Sequence, residues 1–541
     1  MSKAQVVAQV LDGDGLYCQV VSPHGKKISL TGTATDMLPE VEGSDALLGN
    51  RALVANAWAY AKFTHLKVSL PTQHEQKSAE KSANAHRETT EWITDLVDDL
   101  ASATKFGWCS ACFTQANHQK AKRPVGQLPA YLCTNCGSPT LPCAGPGCDN
   151  MAVRSRGGLK VPRYCAEHSH EIPGFAKAGQ KMGSLQDYQD FLKYDKVKLS
   201  RVAKLVGFGL VGVALAVPAS LVAAPAIGGA IGVLIGGYSG AAATSFGLAL
   251  LGGGALAAGG LGMAGGTLVI TAVGGALGGV LGASITNAYV QEDKSFHIEL
   301  LQDGPSVPVI VCNGFLSESG KGWGEWRDVV TARYPESPVY RVHWGAKELR
   351  HLGILGGGGA LKFGAGAALR HAAESAAKMA AKKLGPLGPV LFAAGLAQNP
   401  WHVAKNRADK TGVVVADLLA RTDAESFVLV GHSLGARAMV VAAQTLGSKP
   451  GGPRVEAMHL LGVAIGAKSD WRNLIAAVDD AVYNYHSTND DVLKYLYPVA
   501  QGGQAAAGLK GFAPSHAKLK NLDVSTQVKK HSDYHKNFRL N

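Results

Sequence analysis

Between Leu205 and Gln291 the chain carries no Asp, Glu, Lys, Arg or His across 87 consecutive residues. No ordinary water-facing domain reads this way. A helix that crosses a bilayer needs about 20 apolar residues, so the stretch has room for up to four spans. The segment LVGFGLVGVALAVPASLVAA is the strongest of them. Glycines recur every fourth residue at Gly228, Gly232, Gly236 and Gly240, and again at Gly274, Gly278 and Gly282. On a helix they line one face and let backbones approach closely, which drives helix association in lipid. Gly and Ala outnumber Leu and Ile, so a glycine-zipper layer inside a soluble particle is the competing reading. The upstream flank holds Lys193, Lys196, Lys198, Arg201 and Lys204 against one Asp, which puts that end on the cytoplasmic side. An even number of spans, two or four, then keeps both flanking halves in a reducing compartment.

The rest of the composition agrees with a lipid surface. Net charge is +12 and only 17% of residues are charged, a balance that favours an anionic partner, either headgroups or nucleic acid. The N-terminus MSKAQVVAQVLDGDG has no apolar run behind a basic start, so no secretory signal is expected.

Seven of the nine cysteines fall between Cys109 and Cys165, and Cys18 and Cys312 stand alone. Such clustering points to metal ligands in a reducing compartment rather than disulfides. Cys109-x-x-Cys112 and Cys133-x-x-Cys136 are two knuckles. Cys143 with Cys148, and Cys165 with His168, complete two more pairs. A C-x-x-C turn sets two thiolates on one side of a tight loop, and two such turns close a tetrahedron around Zn²⁺. Eight ligands make two structural zinc sites. The simplest grouping is sequential, with an interleaved cross-brace and a swap of His170 for His168 as alternatives. A protein partner is one use for such a module. Nucleic acid is disfavoured, because no aromatic stacking array accompanies the nearby basic residues.

After Glu292 an α/β rhythm begins. VPVIVCNGF, VYRVHW, FVLVGHS, EAMHLLGVA and DDAVYNYHS read as strands, and WHVAKNRADKTGVVVADLLA as a helix. Within FVLVGHSLGARAMV sits Gly431-His432-Ser433-Leu434-Gly435. With 67 glycines, G-x-S-x-G is expected by chance about 0.5 times in this chain, so the pentapeptide alone is weak. Its setting strengthens it. A strand-to-helix turn around Ser433 exposes a strained serine between two small residues, and the N–H of Leu434 at the helix start becomes an oxyanion donor. Asp490 and Asp491 lie past the last strand and KKHSDYHK near the C-terminus, with His531 and His535; His516 is a further candidate base. The order Ser, Asp, His is that of α/β-hydrolases.

Taken together, VCNGFLSE, VYRVHWGAKEL, NPWHVAKNRADKTG, LVGHSLGARAM, VYNYHSTNDDVLKYLY and LDVSTQVKKHSDYH resemble the α/β-hydrolases grouped as domain-of-unknown-function family 726, which includes eukaryotic transmembrane and coiled-coil proteins. The resemblance covers roughly residues 200–541. It implies Ser433 as nucleophile, Asp490 (in YHSTNDDVL) as the acid and His531 (in LDVSTQVKKH) as the base. It also implies Phe315 as the second oxyanion N–H beside Leu434. Cys312 reads as a packed core thiol. Members look like membrane-associated lipases or esterases.

The expected organisation is a small β-rich module plus a helix over 1–104, a double zinc module over 105–175, the membrane segment over 195–291, and an α/β-hydrolase domain over 292–541 with an insert at 345–400. Within the insert Arg370, Glu374, Lys378 and Lys382 share one helix face, which suits a lid, a rest on anionic lipid or a plain surface helix. The expected function is a membrane-associated serine hydrolase, a lipase, phospholipase or esterase. Lipid is both its substrate and its surface, and the zinc module and hydrolase face the cytoplasm. A non-catalytic zinc-containing membrane adaptor and an antibacterial lipase effector are the alternatives.

Overall fold

A computed structural model describes residues 3–34, 36, 38–69, 73–124, 128–154, 163–193, 277–314, 321–345, 400–500, 504–513, 515–536 and 539–541. Most of the uncharged segment and the insert lie outside the described residues. Among the described residues, no helix is long and apolar enough to cross a membrane. The chain forms two compact units, Met1–Gln180 with Asp190–Glu292, and Lys181–Gln189 with Asp293–Asn541.

The first unit holds two antiparallel sheets. Strands β1 (Gln5–Val10), β2 (Gly15–Val21), β3 (Lys27–Thr33) and β4 (Glu40–Gly43) pair in chain order. Alternation along β2 turns Leu16, Cys18 and Val20 inward. They pack with Leu53 and Trp58 of helix α1 (Arg51–Ser69) and with Ile93 and Leu96 of helix α2 (Gln73–Asp98). Two helices therefore follow the strands where the sequence suggested one, and the unexpected one is Arg51–Ser69. Its Ala52, Ala57, Ala59 and Ala61 are good helix formers and all buried, and the chain there has no strict two-residue alternation. A second sheet runs β5 (Leu100–Trp108), β6 (Gln115–Ala121), β7 (Ala130–Cys133), β8 (Pro139–Pro142) and β9 (Met151–Val153), again in chain order. Helix α3 (Val280–Glu292) belongs to this unit, and its Asn287 side chain donates to the carbonyls of His170 and Glu171 at 3.0 and 3.2 Å.

The second unit is one seven-stranded sheet. Its strands are β10 (His297–Gln302), β11 (Val309–Cys312), β12 (Val339–His343), β13 (Ser426–His432), β14 (Arg454–Leu461), β15 (Val482–His486) and β16 (Leu519–Asp523). Their order across the sheet is β10-β12-β11-β13-β14-β15-β16. Only β10 is antiparallel to its neighbour. The central strands are nearly unbroken apolar runs, as strands covered on both faces must be: every residue of β11 is buried, and all of β13 after Ser426. Helices α4 (Pro400–Ala420) and α5 (Leu434–Gly447) pack together, and Arg437 grips Asp409 with two bonds of 2.6 and 2.9 Å. The chain leaves β11 toward β12 on one side and reaches β13 on the other. The carboxyl ends of β11 and β13 thus flank the point where strand order reverses, the crevice where open α/β sheets place their ligands. Neither edge strand, β10 or β16, was anticipated from sequence; their polar, half-exposed faces resemble loops.

Candidate functional site

At the end of β13 the backbone turns sharply into α5, and Ser433 sits on the turn with φ 57° and ψ −121°. That left-handed conformation is costly for a residue with a side chain and marks stored strain. It persists because its surroundings fix it. The Ser433 N–H donates to the Leu461 carbonyl at 2.9 Å, and the Ser433 carbonyl accepts from Ala464 at 3.3 Å. Gly431 and Gly435 are required by close approach rather than by turn geometry. A Cβ at Gly431 would overlap the Ala436 backbone, and one at Gly435 would overlap the carbonyl oxygen of Cys312. The Ser433 hydroxyl is buried and makes no hydrogen bond among the described residues.

The loop after β11 lies against it, and the segment after β16 meets its neighbour His432. After β11, a Cβ on Gly314 would lie 2.6 Å from Ser433 Cβ and 2.7 Å from the Leu434 nitrogen, so this loop passes directly over the serine and the helix start. Asn313 anchors the loop. Its Oδ1 accepts from Trp326 Nε1 at 2.7 Å and Arg341 Nε at 3.1 Å, and its carbonyl accepts from Trp344 Nε1 at 2.9 Å. None of these anchors carries a sequence signal beyond burial. Phe315, the next residue and the expected second oxyanion donor, lies outside the described residues.

After β15 comes Asp490, fully buried, and after β16 comes His531. The His531 Nδ1–H donates to Asp490 Oδ2 at 2.7 Å, while Asp490 Oδ1 accepts from the Leu493 N–H at 3.0 Å. Asp491 is only half-buried, and His516 is exposed on the approach to β16. His535 is buried edge-on to Trp326, with ring centroids 4.5 Å apart, and burial draws its pKa down to about 3. His432, next to the serine, lies between these histidines. Its Nε2–H donates to the His531 carbonyl at 2.9 Å. Burial and the neighbouring His531 and His535 keep it well below the usual histidine range. Cys312 is sealed in β11, and burial pushes its thiol up to about 12, which leaves it a core residue.

In the first unit the cysteines gather as two four-ligand clusters, Cys109/Cys112/Cys133/Cys136 and Cys143/Cys148/Cys165/His168. Both C-x-x-C turns end on a left-handed residue, Phe113 (φ 54°) and Gly137 (φ 75°), whose N–H closes back to the carbonyl of the first cysteine at 2.7 Å in each case. Ligands sharing a tetrahedral ion at about 2.3 Å stand about 3.8 Å apart. The observed spacings are 4.0 Å for Cys109–Cys136, 3.9 Å for Cys112–Cys133 and 3.8 Å for Cys148–Cys165. His168 Nδ1 lies 3.5 Å from Cys143 Sγ and 3.3 Å from Cys165 Sγ, and His170 is outside the cluster. Backbone N–H groups of Ala111, Gly145 and Cys165 point at sulfur, at 3.4, 3.3 and 3.2 Å. Hydrogen bonding from Cys109 lowers Cys112 to about 6, and from Cys165 lowers Cys143 to about 5. A metal ion would bind these sulfurs as thiolates. These donor sets could hold metal ions.

A third grouping, His297, Glu299 and His343 on paired strands β10 and β12, was not singled out from sequence. The two imidazoles are stacked face to face, 3.9 Å apart and 5° from parallel. Their lone pairs lie in the ring planes and run parallel instead of converging, so the pair is not set to share an ion. Glu299 is occupied by the Gly322 N–H, at 3.0 and 2.9 Å, and by His343 Nε2 at 3.2 Å.

The model of a family described as "Protein of unknown function (DUF726)" matches residues 197–540. An uncharacterized membrane protein of Schizosaccharomyces pombe is 31% identical over 143 residues, 26% of this chain and 18% of that protein. The transmembrane and coiled-coil domain-containing protein STS1 of Oryza sativa subsp. japonica is 30% identical over 149 residues, 27% of this chain and 22% of its own. A probable lipase, MIL1 of Saccharomyces cerevisiae, is 26% identical over 288 residues, 50% of this chain and 26% of its own. The chain thus spans only about a quarter or less of each of these relatives. No solved structure matches it.

Proposed function

The chain belongs to the DUF726 family, and from that premise we propose that it is a serine hydrolase of the α/β-hydrolase class that cleaves acyl esters of membrane lipids. The observation that carries this reading is the buried His531–Asp490 bond of 2.7 Å, whose histidine also meets His432, the residue before the strained Ser433. A left-handed serine between a buried strand and a helix, at the crevice of a mostly parallel sheet, is the arrangement that nucleophilic acyl transfer requires.

In this reading Ser433 Oγ attacks the ester carbonyl carbon while His531 Nε2 takes its proton. Asp490 holds Nδ1–H and so presents Nε2 as the base. The Leu434 N–H at the start of α5 would donate to the oxygen that gains charge, with Phe315 as the second donor that the family resemblance implies. The proton then passes from His531 to the leaving alkoxide, and water repeats the sequence to release the fatty acid. The lipase name of the yeast relative supports the reaction class, and the membrane names of the others support placement at a bilayer. The uncharged segment supplies the contact, with the hydrolase and zinc module on the cytoplasmic side. The two cysteine clusters fit structural Zn²⁺ in donor type and spacing. The ions would fasten loops with few apolar residues of their own, and this module is the candidate surface for a protein partner.

A fluorophosphonate probe should label the wild type and not Ser433→Ala, and lipid profiles from cells expressing the two should differ in glycerolipid or phospholipid turnover. Equal labelling of a folded Ser433→Ala variant removes the hydrolase reading.

A further inference from the structure

We infer that His432 is a positioning residue whose Nε2–H holds the backbone of His531, so that the base is fixed at two points. The second point is the ring itself, held by Asp490. The geometry is specific. His432 is fully buried at the last position of β13, and its Nε2 lies 2.9 Å from the His531 carbonyl oxygen. A carbonyl only accepts, so Nε2 carries the hydrogen, and the neutral ring has this tautomer. The His432 ring packs against three rings of the segment: His531 at 4.7 Å between centroids, Tyr534 at 5.6 Å and His535 edge-on at 4.8 Å. The segment after β16 is otherwise a run of short turns, with Val528 bonded back to Val524 and Asp533 to Lys530. No strand carries His531. Its carbonyl is therefore tied to the residue next to Ser433, and a shift of the serine turn and a shift of the base are coupled through one bond.

The second position of G-x-S-x-G is then more than a filler. A phenylalanine ring there could pack equally well but could not donate. The kinetic part of this inference rests on the serine-hydrolase reading, whereas the structural part does not.

Two substitutions separate donation from packing. His432→Phe keeps a flat buried ring and removes the donor. His432→Gln keeps an N–H at similar reach and can carry no proton. Misplacing a catalytic group by about 1 Å costs up to about 100-fold. His432→Phe should therefore lower kcat on a short soluble ester by roughly 10- to 100-fold with KM within about threefold, and His432→Gln should recover to within about threefold of wild type. The His531 Nδ1 proton, assigned as the downfield resonance missing from His531→Gln, should persist in His432→Gln and exchange-broaden in His432→Phe. A folded His432→Phe with wild-type kcat, or a His432→Gln as impaired as His432→Phe, overturns the inference. If the wild type neither hydrolyses esters nor labels at Ser433, the hydrolase reading fails by itself. The tether is then judged by the resonance alone: loss only in His432→Phe supports it, and persistence in both variants overturns it.

Discussion

The His531 imidazole donates to the Asp490 carboxylate at 2.7 Å, and both side chains are buried. The neighbouring Asp491 is turned partly to solvent. The two aspartates are chemically identical and adjacent in sequence, so substituting each in turn tests the assignment. Asp490→Asn keeps the shape but favours the wrong imidazole tautomer, which in a serine triad costs on the order of 10⁴-fold in kcat. Asp491→Asn should stay within about threefold of wild type, since it alters only a partly exposed charge. Steady-state kinetics on a soluble ester decide between them, and equal losses would refute the choice of Asp490.

Gly435 faces the carbonyls of Cys312 and Asn313 across a gap with no space for a methyl group. Backbone atoms cannot move aside as a side chain can. Gly435→Ala should destabilise the second unit by about 1–3 kcal/mol through overpacking and abolish probe labelling, because the serine turn must shift. Gly451→Ala is the contrasting control. Unlike Gly435 it has a positive φ, 65°, so alanine there carries backbone strain, but nothing lies within 4 Å of its Cβ position, so labelling should stay intact. Unimpaired labelling of Gly435→Ala would show that the turn does not need this close packing.

Freshly purified, unchelated protein should contain about two zinc ions per chain. Cys133→Ser should lower that content to about one and make the β5–β9 region protease-sensitive, while probe labelling at Ser433 remains. Elemental analysis and limited proteolysis measure this. A metal content near zero would contradict it.

Acid should destabilise the second unit before it protonates most carboxylates. Burial lowers His459 and His535 to about 3 from an ordinary 6.5. These groups are neutral when folded and take up protons on unfolding. Their contribution is complete above about pH 6.5 and is lost as pH falls toward about 3. The urea midpoint, read through fluorescence of the buried Trp326 and Trp344, should decline across that window. A midpoint constant from pH 7 to pH 4 would be incompatible with two buried neutral histidines.

The full chain should fractionate with membranes and resist carbonate extraction. Removing residues 205–276 retains α3, whose Asn287 is bonded to the loop after Cys165, and should spare short-ester hydrolysis while depressing hydrolysis of vesicle lipid. Spanning helices satisfy their own backbone bonds, and a charge-free stretch of this length has few other stable homes. If the full chain stays in solution without detergent and the deletion unfolds the second unit, the segment is an internal layer.

Much of the site was legible in the chain, because its chemistry depends on residue type at short spacing. Two C-x-x-C turns can present thiolates only as knuckles, and the apolar runs before Gly314 and Gly431 can be little else than buried strands. The order of Ser433, Asp490 and His531 followed from the motif and from the family pattern. Sequence alone left Asp490 against Asp491, His168 against His170, and His531 against His535. The members of each pair meet different partners, and those partners depend on how segments far apart in the chain come together. The helix Arg51–Ser69 and the edge strands β10 and β16 were missed for the same reason: their partners, not their own periodicity, select their conformation. The His432–His531 bond joins residues 99 apart in the chain. A local pattern states which groups are present. Only the packing of the seven-stranded sheet determines that a donor beside Ser433 faces the carbonyl of His531, because hydrogen bonds act over about 3 Å and the chain must fold before that distance exists.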